Sequence, residues 1–245
     1  MIAINSFKEA IRYILKDKVS FILALIPILI GLAIFILVGV GMFSTMQGIG
    51  NEYIAKYLGE GTFGDIVTWI VKIILTILLY YIINITFVMV LSIIASPFND
   101  MLSNRIEKQI LGLELPSFSD SMKGSISNLM ATLVTESKKV VIILGISLFA
   151  VVLGLIPILT PVSFLLSAIV LSTEFIDFSW SRHNMTFKEC RTEYRQNFFG
   201  YSFGGLFFMF LVSIPLINII VPAYGTSYFT VLWVKSNDSR RQVTK

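Results

Sequence analysis

Of 245 residues, 56% are hydrophobic and 14% charged, and the mean hydropathy is +0.83; so little polar material cannot coat a water-soluble globule of this size, and the composition is that of an integral membrane protein. The single cysteine, Cys190, excludes a disulfide framework and a cysteine-rich metal site. The net charge of +4 comes from lysines and arginines that flank apolar runs as topology signals, without the dense basic tract of a nucleic-acid binder.

Residues 5–18 place Phe7, Ile11, Ile14 and Leu15 on one helical face beside a basic stripe of Lys8, Arg12 and Lys16. Such a helix suits the headgroup layer, its cations near anionic lipid, and Ser6 followed by Glu9 reads as a capping box. Residues 21–43 are apolar and uncharged over a length that meets the criterion for a spanning helix. That run starts late, exceeds a signal-peptide core and lacks a small-residue cleavage site, so the span is expected to stay in the mature protein. Pro27 inside it marks a kink or a later helix start. Gly39, Gly41, Gly48 and Gly50 then predict a loop reaching Asp65, and Glu52, Glu60 and Asp65 against Lys56 set that loop outside.

Residues 68–95 form the second predicted span, with Lys72 snorkelling at the outer interface and Asn84 near mid-membrane, where its amide needs another helix or a pathway to face. Pro97 predicts a turn at Ser96-Pro97-Phe98-Asn99-Asp100. Residues 97–138 then read as two amphipathic cytoplasmic helices, the first with Phe98, Leu102, Ile106 and Ile110 at four-residue spacing against Asn104, Arg105, Glu107 and Lys108, and the second with Met122, Ile126, Met130 and Leu133.

Two apolar hairpins follow. Residues 140–178 are broken by Pro157 and Pro161, and residues 198–234 by Pro215 and Pro222. Two prolines that close together turn the chain, since each costs a helix interior roughly 3 kcal/mol. Arms of about sixteen residues reach roughly 25 Å in the first hairpin, short of the ~30 Å of bilayer hydrocarbon. Repeated, proline-interrupted hydrophobic segments point to a membrane transport pathway, although two ordinary pairs of spanning helices satisfy the same pattern. The charged linker at 174–197 and the tail at 235–245, with Lys235, Arg240, Arg241 and Lys245, join the other basic clusters on one side, so both termini are expected in the cytoplasm.

His183 is the only histidine, which excludes a histidine-rich metal site, and in a charged linker it is expected to be solvated. Glu174 and Asp177 stand one helical turn apart, where they either serve proton coupling or mark the membrane exit and pair with Arg182 or its neighbours. Asn218, in the second turn, is a further pathway candidate. No nucleotide loop, nucleophile elbow or metal-binding helix occurs, so neither an enzyme nor a cofactor is expected.

Ser96-Pro97-Phe98-Asn99-Asp100, then Glu174-Phe175-Ile176-Asp177 with Arg182-His183 and Phe187, then Phe199-Gly200 leading to Ile214-Pro215, Asn218 and Pro222, resemble in order and spacing the CysZ/EI24 family of bacterial inner-membrane proteins over nearly the whole chain. The resemblance implies an all-α integral membrane fold with an interfacial first helix, two long transmembrane helices and two hairpins that only partly penetrate, assembled as a homo-oligomer. It also implies sulfate uptake supplying cysteine synthesis. Sulfate-transporting members resemble one another in an adjacent arginine pair before the first span, where this chain reads Lys16-Asp17-Lys18-Val19-Ser20. Lys16 and Lys18, with the Ser20 hydroxyl, are therefore the groups expected to meet an anion there. The competing class is a non-transporting membrane scaffold or interaction protein of the same fold.

Overall fold

Every regular element is helical in the computed structural model, which describes residues 2–57, 69–70, 73–74, 94–120, 137–214 and 217–243. In chain order the long helices are α1 (Ile2–Lys16), α2 (Lys18–Tyr57), α3 (residues 94–111), α4 (Ser137–Gly154), α5 (Thr160–Arg182), α6 (Phe187–Gln196), α7 (Phe198–Val212) and α8 (Val221–Val243). Met1–Ile28 and Ala95–Lys245 make one compact unit, and Leu29–Ile94 makes another. Most of the second predicted span, Lys72 and Asn84 included, and most of the second amphipathic helix lie outside the described residues.

Helix α1 follows its amphipathic pattern, but Ser6 is buried inside it and donates to the Ile2 carbonyl at 2.9 Å, so the expected capping box does not form. The helix begins upstream at Ile2, which leaves Ser6 inside it. Ala3, Phe7, Ala10 and Ile14 pack inward, while Ile4, Ile11 and Leu15 stay exposed on another face beside Lys8, Arg12 and Lys16. The chain breaks at Asp17, where the axis turns by 102° into the first part of α2. Helix α2 then runs for 40 residues with Pro27 inside it, correcting the expected loop after Gly39. Glycine costs a helix only about 1 kcal/mol in water, and in apolar surroundings the backbone gains more from keeping its hydrogen bonds than from opening.

Pro97 likewise lies within helical backbone and makes no turn. Removing one backbone bond does not end a helix whose neighbours satisfy the freed carbonyl. The stop comes at Gly112, whose φ of 66° suits glycine and lets the Leu113 N–H donate to the Lys108 carbonyl at 2.9 Å.

In the first hairpin Pro157 opens a 3-10 turn, Pro157–Leu159, and Pro161 sits in the first turn of α5, where a missing N–H costs nothing. The second arm is longer than the residue count between charges suggested. Helix α5 carries Glu174 and Asp177 within it and spans 23 residues, or about 35 Å. With the preceding turn, Pro157–Arg182 is the one stretch among the described residues long and apolar enough to cross a membrane as a single straight element. In the second hairpin Pro222 occupies the start of α8, and Asn218 lies in a 3-10 turn, Ile217–Ile219; Pro215 lies outside the described residues. Helix α8 continues to Val243, so the predicted tail is largely helical.

Aromatic side chains join these elements. Phe7 of α1 stacks on Tyr228 of α8 at 4.2 Å and meets Phe207 of α7 edge-on at 4.5 Å, while Phe175 of α5 lies against Phe208 and Phe229. Close helix approach is made by missing side chains: a Cβ on Gly205 would lie 2.2 Å from the Ala168 carbonyl oxygen, so α5 and α7 touch backbone to backbone there.

Candidate functional site

Helix α3 is the element around which the polar side chains gather. Its apolar residues Leu102 and Ile106 are buried as the spacing requires, but Arg105 and Glu107 are buried too, at 3% and 6% exposure. Residues i and i+4 share a helix face, whereas i and i+2 point to opposite sides. Ser103 and Glu107 therefore serve one cluster, and Arg105 and Gln109 serve another.

The first cluster is the elbow between α1 and α2. Asp17 Oδ2 accepts from the Ser20 N–H at 2.8 Å and from the Ser20 hydroxyl at 2.7 Å, capping α2. Arg105 clamps the same oxygen through Nε and Nη2, both at 2.9 Å, and its other nitrogen donates to the Pro116 carbonyl. Gln109 Nε2 donates to the Ser20 hydroxyl at 2.9 Å. Burial raises the Asp17 pKa, but the hydroxyl and N–H of Ser20 and the Arg105 guanidinium outweigh it and hold the carboxyl below its ordinary value.

This arrangement alters the roles expected at the elbow. Lys16 and Lys18 flank Asp17, are both exposed and have no partner among the described residues. Ser20 is buried, and its hydroxyl is committed to Asp17 and Gln109, so it shapes the elbow through the carboxylate and does not present a free donor. Asp17, flanked by lysines and passed over as a contact in the sequence, is the hub. A sequence trace of this does exist, since Asp17 stands three residues before Ser20 at a helix start.

The second cluster closes the opposite face of α3 against α5 and α8. Arg182 donates to Glu107 at 2.7 Å, to Ser103 at 2.8 Å and to the Phe178 carbonyl at 3.1 Å, with Asp100 at 3.4 Å. His183 is not simply solvated: its Nε2 lies 2.7 Å from the other Glu107 oxygen and its ring sits 4.7 Å from that of Trp233. Ser103 also bonds Thr230 at 2.8 Å, with Ser179 at 3.3 Å, linking three helices through hydroxyls. Periodicity hides such a site, because a charged helix face reads as solvated until another helix is laid over it.

The remaining candidates are dispersed. Glu174 is exposed on α5, and Asp177, one turn on, is half-buried and accepts from the Ser181 hydroxyl at 3.0 Å. Asn218 is half-buried in the second hairpin's turn, where its N–H donates to the Ile214 carbonyl at 3.1 Å. Cys190 is buried and its thiol donates to the Met185 carbonyl. No group of three or more metal-ligating side chains forms among the described residues.

The family model described as Sulfate transporter CysZ/Etoposide-induced protein 2.4 matches residues 6–222. Among similar proteins, the Sulfate transporter CysZ of Pseudomonas paraeruginosa is 25% identical over 244 residues, 96% of this chain and 95% of that protein. That of Pseudomonas fluorescens is 25% identical over 248 residues, 97% and 95% of the two chains. That of Vibrio cholerae is 27% identical over 214 residues, 83% and 82% of the two. The matched region contains the elbow, the first hairpin and both α3 clusters except Thr230 and Trp233 of α8.

Proposed function

The chain belongs to the EI24 family, described as Sulfate transporter CysZ/Etoposide-induced protein 2.4, and from this we propose that it is a membrane permease for sulfate or a related small anion, supplying sulfur for cysteine synthesis. Similarity along nearly the full length to proteins named sulfate transporter carries the reading. The elbow supports it chemically. Arg105 cancels the charge of Asp17, so the positive charge of Lys16 and Lys18 faces solvent uncompensated, as a doubly charged oxyanion requires. Lys16 and Lys18 are the proposed anion contacts, with Ser20 acting through the Asp17 cap; Asn84, Glu174, Asp177 and Asn218 are proposed for the pathway or its coupling.

The protein is placed in the bacterial inner membrane with both termini in the cytoplasm, as a homo-oligomer surrounded by lipid. The ion pair between Glu9 of α1 and Lys235 of α8 supports a common side for the two ends. The bend at Asp17 suits an α1 lying in the headgroup layer while α2 enters the bilayer, with residues 68–95 as the second crossing. The test is uptake of labelled sulfate into sealed vesicles containing the purified protein. Protein-dependent uptake is expected, and loss of one charge-assisted contact by Lys16→Ala or Lys18→Ala is expected to weaken apparent sulfate affinity about ten- to a hundred-fold. Absence of flux for sulfate and other small anions would overturn the permease and favour a scaffold.

A further inference from the structure

A cavity of about 210 Å³ opens where α4, α5 and α6 meet, and we propose that it is a lipid site: part of one acyl chain of an anionic phospholipid fills it, and the lipid phosphate sits between Arg191 and Arg195. The walls are apolar, built from Ile146, Ile169, Val170 and Phe187. At this size, below the roughly 300 to 1,000 Å³ of pockets that enclose a drug-sized ligand, the cavity takes a segment of chain and leaves the rest of the lipid in the bilayer.

Charge identifies the head. Arg191 and Arg195 lie one turn apart on α6, both line the cavity, both are exposed, and neither has a partner among the described residues. Trp180, 2% exposed, lines the same cavity with an indole N–H that has no hydrogen-bond partner among the described residues. The one lining carboxylate, Asp177, accepts from Ser181, and the two guanidiniums exceed it by one charge. A planar guanidinium recognises phosphate through paired N–H groups.

The surroundings hold this face steady at the right level. Helix α6 starts from a capping box in which Thr186 and Glu189 bond each other's backbone N–H groups. Tyr194, which also lines the cavity, ties the helix to α5 through its hydroxyl, which bonds Ser172 at 2.8 Å. Phe187, one turn before Arg191, and Phe199, at the start of α7, are 48% and 87% exposed, aromatic rings of the kind found where headgroups meet acyl chains. A free oxyanion would gain nothing from the apolar walls.

The experiment is native mass spectrometry of the delipidated full-length protein titrated with phosphatidylglycerol or with phosphatidylcholine of the same chains. Preferential retention of phosphatidylglycerol is expected. Arg191→Gln with Arg195→Gln should lower its affinity about fivefold per arginine, roughly 30-fold together, and leave phosphatidylcholine unchanged. Asp177→Asn, removing the opposing charge, should raise phosphatidylglycerol affinity. Equal retention of the two lipids, unchanged affinity in the double variant, or displacement of phosphatidylglycerol by inorganic phosphate would each overturn the site. A dimer lost in the double variant, with no lipid preference, would overturn it in favour of a second copy. Lipid retention is read without any flux, so a silent sulfate assay leaves the result standing.

Discussion

Asp17 carries a consequence out of proportion to its place in the chain, because one carboxylate oxygen caps α2 and neutralises a guanidinium that is almost wholly buried in α3. Asp17→Asn removes the charge and leaves Arg105 unpaired where water cannot reach it. Breaking a buried pair from one side costs about 3 kcal/mol, and the partial exposure of Asp17 keeps the loss near that lower limit. A matching fall in thermal stability in detergent at pH 7 checks it; an unchanged melting temperature would show that Arg105 finds another partner. The pH dependence follows from the sign of the shift. A depressed carboxyl contributes stability that is fully present above its unfolded value, here 3.8, and is lost as pH falls through the lower folded value. The wild-type melting temperature should therefore drop below about pH 4 by more than that of Asp17→Asn, whose elbow has no such carboxyl to protonate. Nothing in the local sequence announces the partner, since Arg105 lies 88 residues away.

Helices pack here by omission of side chains as much as by fit. Gly205 on α7 faces the Ala168 backbone of α5, and its added Cβ would meet rigid carbonyl atoms, which cannot move aside as a side-chain tip could. Gly205→Ala should destabilise the protein by about 1 to 3 kcal/mol, the range for overpacking. Gly145→Ala, at a position with open space, is the control and should be nearly neutral; equal effects of the two would remove the close-approach account. The elements themselves were legible where a residue acts on its own backbone. Pro157 and Pro161 mark the first turn, whereas of the face expected from Phe7, Ile11, Ile14 and Leu15 only Phe7 and Ile14 pack inward, Ile11 and Leu15 staying exposed. Legibility failed where the surroundings decide. The glycines from Gly39 onward and Pro97 sit in helical backbone that their cost in water argues against, and His183, in a charged linker, is held by Glu107 of another helix. Lys16 and Lys18 stand out in the sequence as exposed charges beside a helix start, whereas the bonding of the Ser20 hydroxyl depends in part on Gln109, 89 residues away.

At the scale of the whole molecule, the tips of the two hairpins bear on how far these enter the bilayer. Helix α5 of the first hairpin, at about 35 Å, is long enough to cross the ~30 Å hydrocarbon layer. The tip is apolar and open: Leu155 is 78% exposed and Ile158 85%. Keeping a large aliphatic side chain from water is worth roughly 1.5 to 3 kcal/mol, so this tip gains by staying in the hydrocarbon or at its edge. In the second hairpin α7 has 15 residues, about 23 Å and short of that layer, and Ile220 in the turn that follows is 49% exposed. We expect both tips to stop at or inside the outer boundary. Single cysteines at Ile158 and Ile220, in a Cys190→Ser background, put this to a membrane-impermeant maleimide added outside sealed, oriented vesicles. Both positions are open enough for the reagent to reach them in detergent, which sets the reference rate and removes steric shielding as an explanation. Labelling in vesicles much slower than in detergent is the expected result. Rates that match at both positions would mean that the tips emerge into water, and the hairpins would then be complete crossings.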